Sequence, residues 1–179
     1  MHKFDKIVIV DVESTCWDGG TPAGQISEII EIGICTLDLH SGAIEQNEGI
    51  LIRPQDSTVS DFCTQLTTIT PDMVENGISF AEACTKLETD YLSKNRVWAS
   101  YGAYDHTMFV NQCSRLKIPY PFSNKHINVK TLFSLKSRMS KEVGMSGALR
   151  QLGFELEGTH HRGVDDARNI AKILNWVLG

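Results

Sequence analysis

Two carboxylates, Asp11 and Glu13, close the β-branched run Lys6 to Glu13, KIVIVDVE. In an extended chain, residues two apart point to the same side, about 6.6 Å apart along the strand. Ile7 and Ile9 share that side, and Val8, Val10 and Val12 take the other. A strand covered on both faces should not end in two like charges on one of them. Unpaired, such charges are expensive to bury or are pushed toward their protonated forms. Either both acids lie solvated at the wet end of the strand, or a bound cation neutralises them.

Two more acids arrive from helical segments. From Asp105 an apolar stripe continues through Phe109, Cys113 and Leu116, so Asp105 opens a buried face. It also stands in a first helical turn, where the helix dipole favours a carboxylate, and a plain capping role fits it too. Asp165 and Asp166 adjoin near the C-terminus. From Asp166 the helical face runs to Ile170, Ile173 and Val177; from Asp165 it runs to Asn169, Lys172 and Trp176. The inward acid is therefore Asp166, and Asp165 is expected to be solvated or capping.

Four carboxylates brought to one point repel strongly unless cations are present. Two Mg2+ or Mn2+ ions about 3.5–4 Å apart would satisfy them. All-oxygen ligation favours these hard ions over zinc. His160 and His161 lie just ahead of Asp166. A histidine on a mobile loop beside a metal pair can take a proton from water, its ordinary pKa being near neutrality. For His160 the reading is a surface histidine.

The elements that must position these groups follow from local patterns. Strands are expected over Lys6–Glu13, Ile26–Leu39 and Ile44–Arg53, the last two joined near His40–Gly42 as an antiparallel hairpin. Thr70-Pro71 has the form of an N-cap followed by proline at the first helical position, and Gly77 closes that short helix. Ser79 and Glu82 have capping-box spacing ahead of a helix from Phe80 to about Leu92. A strand over Arg96–Tyr101, a helix over Tyr104–Lys117, a loop over 118–128, helices over Val129–Met139 and Ser146–Leu152, and a long helix over Gly163–Leu178 complete the chain. A fifth strand is placed near Ile127. Strands in antiparallel order followed by strand–helix alternation imply an α/β fold with a mixed sheet and helices on both faces.

Composition sets the bounds. The 179 residues, 41% hydrophobic and 22% charged, fit one globular domain spanning 1–179. No apolar run is long enough for a membrane span, no signal-peptide pattern opens the chain, and five cysteines form no C-x-x-C motif, so a reducing, cytoplasmic setting is expected. A net charge of −5 argues against a broad polyanion-binding surface. Ions held by the acids would raise that charge by about four and make the site itself a phosphate acceptor.

Asp11-Val12-Glu13, the aspartate of Tyr104-Asp105 and the span His161 to Asp166 (H-x-x-x-x-D), in that order, resemble the three motifs of the DEDDh exonuclease superfamily. A closer resemblance runs through DVESTCW (Asp11 to Trp17), FCTQLTTIT (Phe62 to Thr70) with Pro71 to Val74, and HHRGVDDARNIA (His160 to Ala171). These segments look like the histone-mRNA and enhanced-RNAi exonucleases and KapD-like bacterial proteins. The resemblance implies a ribonuclease H-like fold of three antiparallel strands followed by parallel ones. It implies 3′→5′ hydrolysis of single-stranded nucleic acid, RNA rather than DNA, with release of nucleoside 5′-monophosphates. It assigns Asp11, Glu13, Asp105 and Asp166 to two metal ions and His161 to the general base, and it borders the terminal-nucleotide pocket with Ser14, Thr15, Trp17, Leu66, Thr67 and Tyr101. The alternatives are a DNA proofreading or repair exonuclease and a partner-binding regulatory module on a nuclease fold.

Overall fold

A computed structural model describes residues 3–179. Strands β1 (Lys3–Ser14), β2 (Ile29–Asp38), β3 (Ile44–Leu51), β4 (Arg96–Ser100) and β5 (His126–Asn128) form one sheet in the order β3-β2-β1-β4-β5. The β1–β2 and β2–β3 pairs are antiparallel, whereas β1–β4 and β4–β5 are parallel. The expected α/β mixed sheet is therefore present, including the short strand at Ile127.

The central strand β1 buries both faces. Val8, Val10 and Val12 pack into one apolar cluster with Phe80 and Leu87 of α3 (Phe80–Asp90) and Phe109 of α4 (Tyr104–Leu116). Ile7 and Ile9 pack into a second cluster with Phe133 of α5 (Val129–Lys136), Leu149 of α6 (Met145–Leu152) and Ile170 and Ile173 of α7 (Gly163–Leu178). Alternation along β1 thus feeds two cores, and the acids that continue the Ile7–Ile9 side emerge at the edge of the second.

Local signals set several boundaries. Ser79 and Glu82 form the capping box that starts α3, and Thr70 caps α2 (Pro71–Glu75). The strand expected from Ile26 begins only at Ile29. The ladder slips between Glu13 and Ser14, and Thr15 instead ties down Glu28, donating its N–H to the Glu28 carbonyl and accepting the Glu28 N–H at its hydroxyl, both 2.9 Å. A helix with no counterpart in the sequence-based expectation, α1 (Asp61–Thr67), follows the Ser60 N-cap, whose hydroxyl accepts the Cys63 N–H at 3.0 Å. Seven residues are too few for a helical hydrophobic period to declare itself.

The start of α7 is seated on β2 by two glycines. A Cβ on Gly33 would stand 1.8 Å from the Gly163 carbonyl, and one on Gly163 would meet the Gly33 nitrogen at 2.8 Å and the Asp11 carbonyl oxygen at 3.0 Å. Only glycine permits that approach of two backbones. It brings the first turn of α7, with Asp166, alongside Asp11, which pairs with Gly33 across the β1–β2 ladder.

Candidate active site

A cavity of about 240 Å³ opens at the C-terminal end of β1 and is lined by Asp11, Glu13, Asp105, Asp166, His160 and His161, with Tyr101, Tyr104 and Met145 at its walls. All four acids singled out in the sequence converge here. Asp11, Glu13 and Asp166 each offer an oxygen, and these lie within 4.8 Å of one another. Asp105 stands just behind them: it is buried, and its Oδ1 accepts the Val12 N–H at 2.9 Å. That bond fastens the first turn of α4 to β1 midway between Asp11 and Glu13.

The electrostatics follow from the crowding. Burial, then the charges of Asp105, Glu13 and Asp166, raise the Asp11 pKa well above the usual carboxylate range. Burial, then Asp166 and Glu31, raise Glu13 to about 8. Burial raises Asp105 to about 6 despite the opposing Val12 hydrogen bond. Burial also raises Asp166, against hydrogen bonds from His161 and His160. An all-oxygen donor set whose members resist ionising together fits hard divalent cations, which remove the repulsion and need no proton.

The two histidines occupy the tight turn ahead of α7. Asp166 Oδ2 accepts the His161 N–H at 2.9 Å and lies 3.0 Å from His160 Nδ1. His161 has φ +64°, and the two imidazoles stack at 4.0 Å. Burial and the neighbouring His160 lower the His161 pKa against the opposing charge of Asp166, a shift that favours the neutral ring. His160, expected at the surface, is exposed yet reaches into the carboxylate group. Only its adjacency to the H-x-x-x-x-D span could have suggested this.

Asp165 holds a loop rather than the cavity. Its Oδ2 accepts the Thr159 N–H at 2.8 Å. The face that should have led outward from it is partly closed: Asn169 is fully buried and donates to the Glu157 and Asp165 carbonyls, both at 2.9 Å. Two further buried acids escaped sequence reasoning. Glu31 accepts from Arg162 and from the Gly163 N–H, and Glu28 accepts from Arg115 and the Gln55 and Asp56 amides. Nothing in their local pattern marks them, since their partners lie at least 27 residues away.

Of the residues placed around the nucleotide, Tyr101 lines the cavity, its hydroxyl donating to the Val143 carbonyl at 3.1 Å. Ser14 reaches its rim through a 2.5 Å hydrogen bond to the Tyr104 hydroxyl. Tyr104, unassigned from sequence, is 54% exposed and so offers an aromatic face at the entrance. Leu66 projects from α1 and Trp17 is half-buried, neither lining the cavity itself. The hydroxyls of Thr15 and Thr67 are occupied internally, by Ile26, Glu28 and Ser57 and by Cys63 and Ile69 respectively.

Residues 8–174, which carry almost all of the five-stranded mixed sheet and the acids gathered at the end of its central strand, match the exonuclease family RNase_T. The chain belongs to that family. It is 34% identical over 187 residues to human 3′-5′ exoribonuclease 1, covering 98% of this chain and 53% of the relative. It is 31% identical to ERI1 exoribonuclease 2 of Xenopus laevis, covering 98% of this chain and 28% of the relative. The chain thus spans about half or less of these two relatives' lengths. Among solved structures, the nuclease domain of 3′hExo, described as a DEDDh family member bound to rAMP, superposes with a TM-score of 0.84 at 30% identity, covering 99% of this chain and 94% of that one. A 3′-exonuclease described as recognising the 3′ end of the histone mRNA stem-loop gives 0.86 at 29%, with 99% and 64% covered. The DEDDh class to which the chain is thereby joined is divalent-metal dependent.

Proposed function

We propose that this chain is a 3′→5′ exonuclease that removes nucleotides one at a time from single-stranded RNA, releasing nucleoside 5′-monophosphates. The observation that carries the reading is the convergence of Asp11, Glu13, Asp105, Asp166 and His161 on one cavity. The names of the relatives, exoribonucleases, favour RNA over DNA.

In this reading Asp11, Glu13 and Asp166, whose oxygens already gather, would hold Mg2+ or Mn2+, with Asp105 behind them as the fourth acid of the set. Bound there, two such ions supply Lewis-acid stabilisation of the attacking and leaving oxygens of an in-line displacement. The protein's own contributions are more specific. Asp105, clamped by the Val12 amide, and Asp166, held by the His161 amide, keep their oxygens in place before substrate arrives. His161 accepts the proton of the attacking water at a ring nitrogen, and its lowered pKa keeps that nitrogen free. The rim carrying Tyr104, with Ser14 and Tyr101 beside it, receives the last nucleotide; Trp17 and Leu66 stand outside the cavity, and Thr15 and Thr67 support the surrounding backbone from within. Stacking on an aromatic face tolerates any base, as a general exonuclease requires.

The test is hydrolysis of matched 5′-labelled single-stranded RNA and DNA in Mg2+, Mn2+ or chelator. The reading expects a ladder shortening from the 3′ end of RNA, 5′-monophosphate products, and no reaction in chelator or with Asp11→Ala. Faster attack on DNA would move the chain to the proofreading and repair side. Cleavage in chelator would end the metal reading.

A further inference from the structure

His160 is absent from the proposed mechanism, yet it lies against the centre of the site. His160, His161 and Asp166 each present a ligating atom, and the three atoms lie within 4.8 Å of one another. Two consecutive side chains ordinarily diverge. Here the left-handed backbone at His161, a conformation that histidine tolerates better than most residues, turns both rings to one side and stacks them at 4.0 Å with an 18° tilt. The turn is short, closed by the Arg162 N–H on the Thr159 carbonyl at 3.2 Å, and the His160 side chain is 40% exposed.

This donor set differs in kind from its neighbour. Asp11, Glu13 and Asp166 offer only oxygen and suit Mg2+ or Mn2+, whereas two imidazoles and one carboxylate suit zinc. Zinc–nitrogen bonds of about 2.0–2.1 Å put tetrahedral ligand atoms about 3.3 Å apart. His160 Nδ1 already lies 3.0 and 3.3 Å from the two Asp166 oxygens. Rotation of the His161 ring, on a partly exposed turn, completes the set.

We infer that His160, His161 and Asp166 form a zinc site that overlaps the catalytic centre, so that Zn2+ inhibits the nuclease by sequestering its general base and one of its carboxylates. The inference rests on the roles given above to His161 and Asp166 only for its inhibitory consequence; binding itself depends on the three donors alone. Three protein ligands leave the fourth position to water. Mg2+, which prefers oxygen, does not compete for the imidazoles, so excess Mg2+ relieves the inhibition only by competing for Asp166.

The test compares the wild-type chain with His160→Asn and His160→Cys. Zinc affinity is measured by competition with a chromophoric chelator, and coordination by the visible absorption of Co2+ put in zinc's place. Hydrolysis of labelled RNA in fixed Mg2+ is then titrated with Zn2+. The inference expects one zinc per wild-type chain, at least tenfold weaker binding and at least tenfold weaker inhibition in His160→Asn, and recovery of both in His160→Cys, whose thiolate replaces the imidazole. Inhibition is expressed relative to each variant's own rate in Mg2+ alone, so that any change in basal activity is separated from the response to Zn2+. Equal zinc binding and equal inhibition in His160→Asn would overturn the inference, because inhibition would then come from exchange at the all-oxygen site. Zinc binding that depends on His160, in a chain that hydrolyses nothing in Mg2+, would uphold the site and retire the catalytic reading instead.

Discussion

Glu31 and Arg162 form a two-pronged ion pair beneath the turn that carries His160 and His161: Arg162 donates from Nε and Nη2 to the two Glu31 oxygens at 3.2 and 3.0 Å. The same carboxylate accepts the Gly163 N–H at 2.8 Å. Glu31 is fully buried, and its charge faces Glu13 across the β1–β2 ladder. The pair therefore neutralises a fifth acid behind the site and ties the turn carrying His161 to the sheet.

Arg162→Ala would leave the buried Glu31 carboxyl without its ion-pair partner, held only by the Gly163 N–H. Removing one partner of a buried pair costs about 3–5 kcal/mol, and the lower end applies because Arg162 is itself partly exposed. Urea unfolding should show a loss of about 3 kcal/mol, much of it recovered in Arg162→Ala with Glu31→Gln. A loss below about 0.5 kcal/mol, typical of a surface ion pair, would mean that the bridge holds nothing.

Gly33→Ala tests the seating of α7. The new methyl would stand 1.8 Å from backbone atoms of Gly163, where no side chain can swing aside. The expected cost is about 3 kcal/mol or more, at the upper end for overpacking. Any folded protein should also lose most of its activity, because Asp166 moves with the helix. Thermal unfolding and hydrolysis of labelled RNA check the two halves, and a stable, fully active variant would contradict both.

The raised carboxylates give the metal-free protein a pH dependence of definite sign. Burial, then Asp166, raises Glu13 from 4.5 to about 8, and burial raises Asp105 from 3.8 to about 6. A folded acid with a raised pKa binds more protons than the unfolded chain, so stability falls as pH rises between the two values. In chelator, the melting temperature should drop from pH 5 to pH 8 through this contribution, and Mg2+ should reduce the slope by stabilising the ionised forms. A slope indifferent to Mg2+ would separate the acids from metal binding.

His161→Ala should lower kcat by about 10²–10⁴, the usual share of a general base, while leaving RNA binding in Ca2+ intact. Single-turnover kinetics and a filter-binding assay separate the two. Normal turnover in the variant would remove His161 from the mechanism.

The acids were readable in the sequence because each lies in a periodic segment that declares its own inner face. The alternation of β1 put Asp11 and Glu13 beside Ile7 and Ile9, and the helical period separated Asp166 from Asp165. What stayed hidden depends on contacts between distant segments. Glu31 sits in a strand whose residues are nearly all buried, so no alternation marks it, and its partner is 131 residues away. Helix α1 is too short to show a period. The inward reach of His160 comes from one left-handed residue, His161, and non-glycine types carry only a weak signal for that conformation.

The proposed holding of hard divalent cations by four acids from three segments is tested without any substrate by titration of the protein with Mn2+, followed by electron paramagnetic resonance and calorimetry. The account predicts saturable Mn2+ binding that is lost in Asp11→Asn, with the fold kept. Binding unchanged by that substitution, or absent from the wild-type chain, would contradict it.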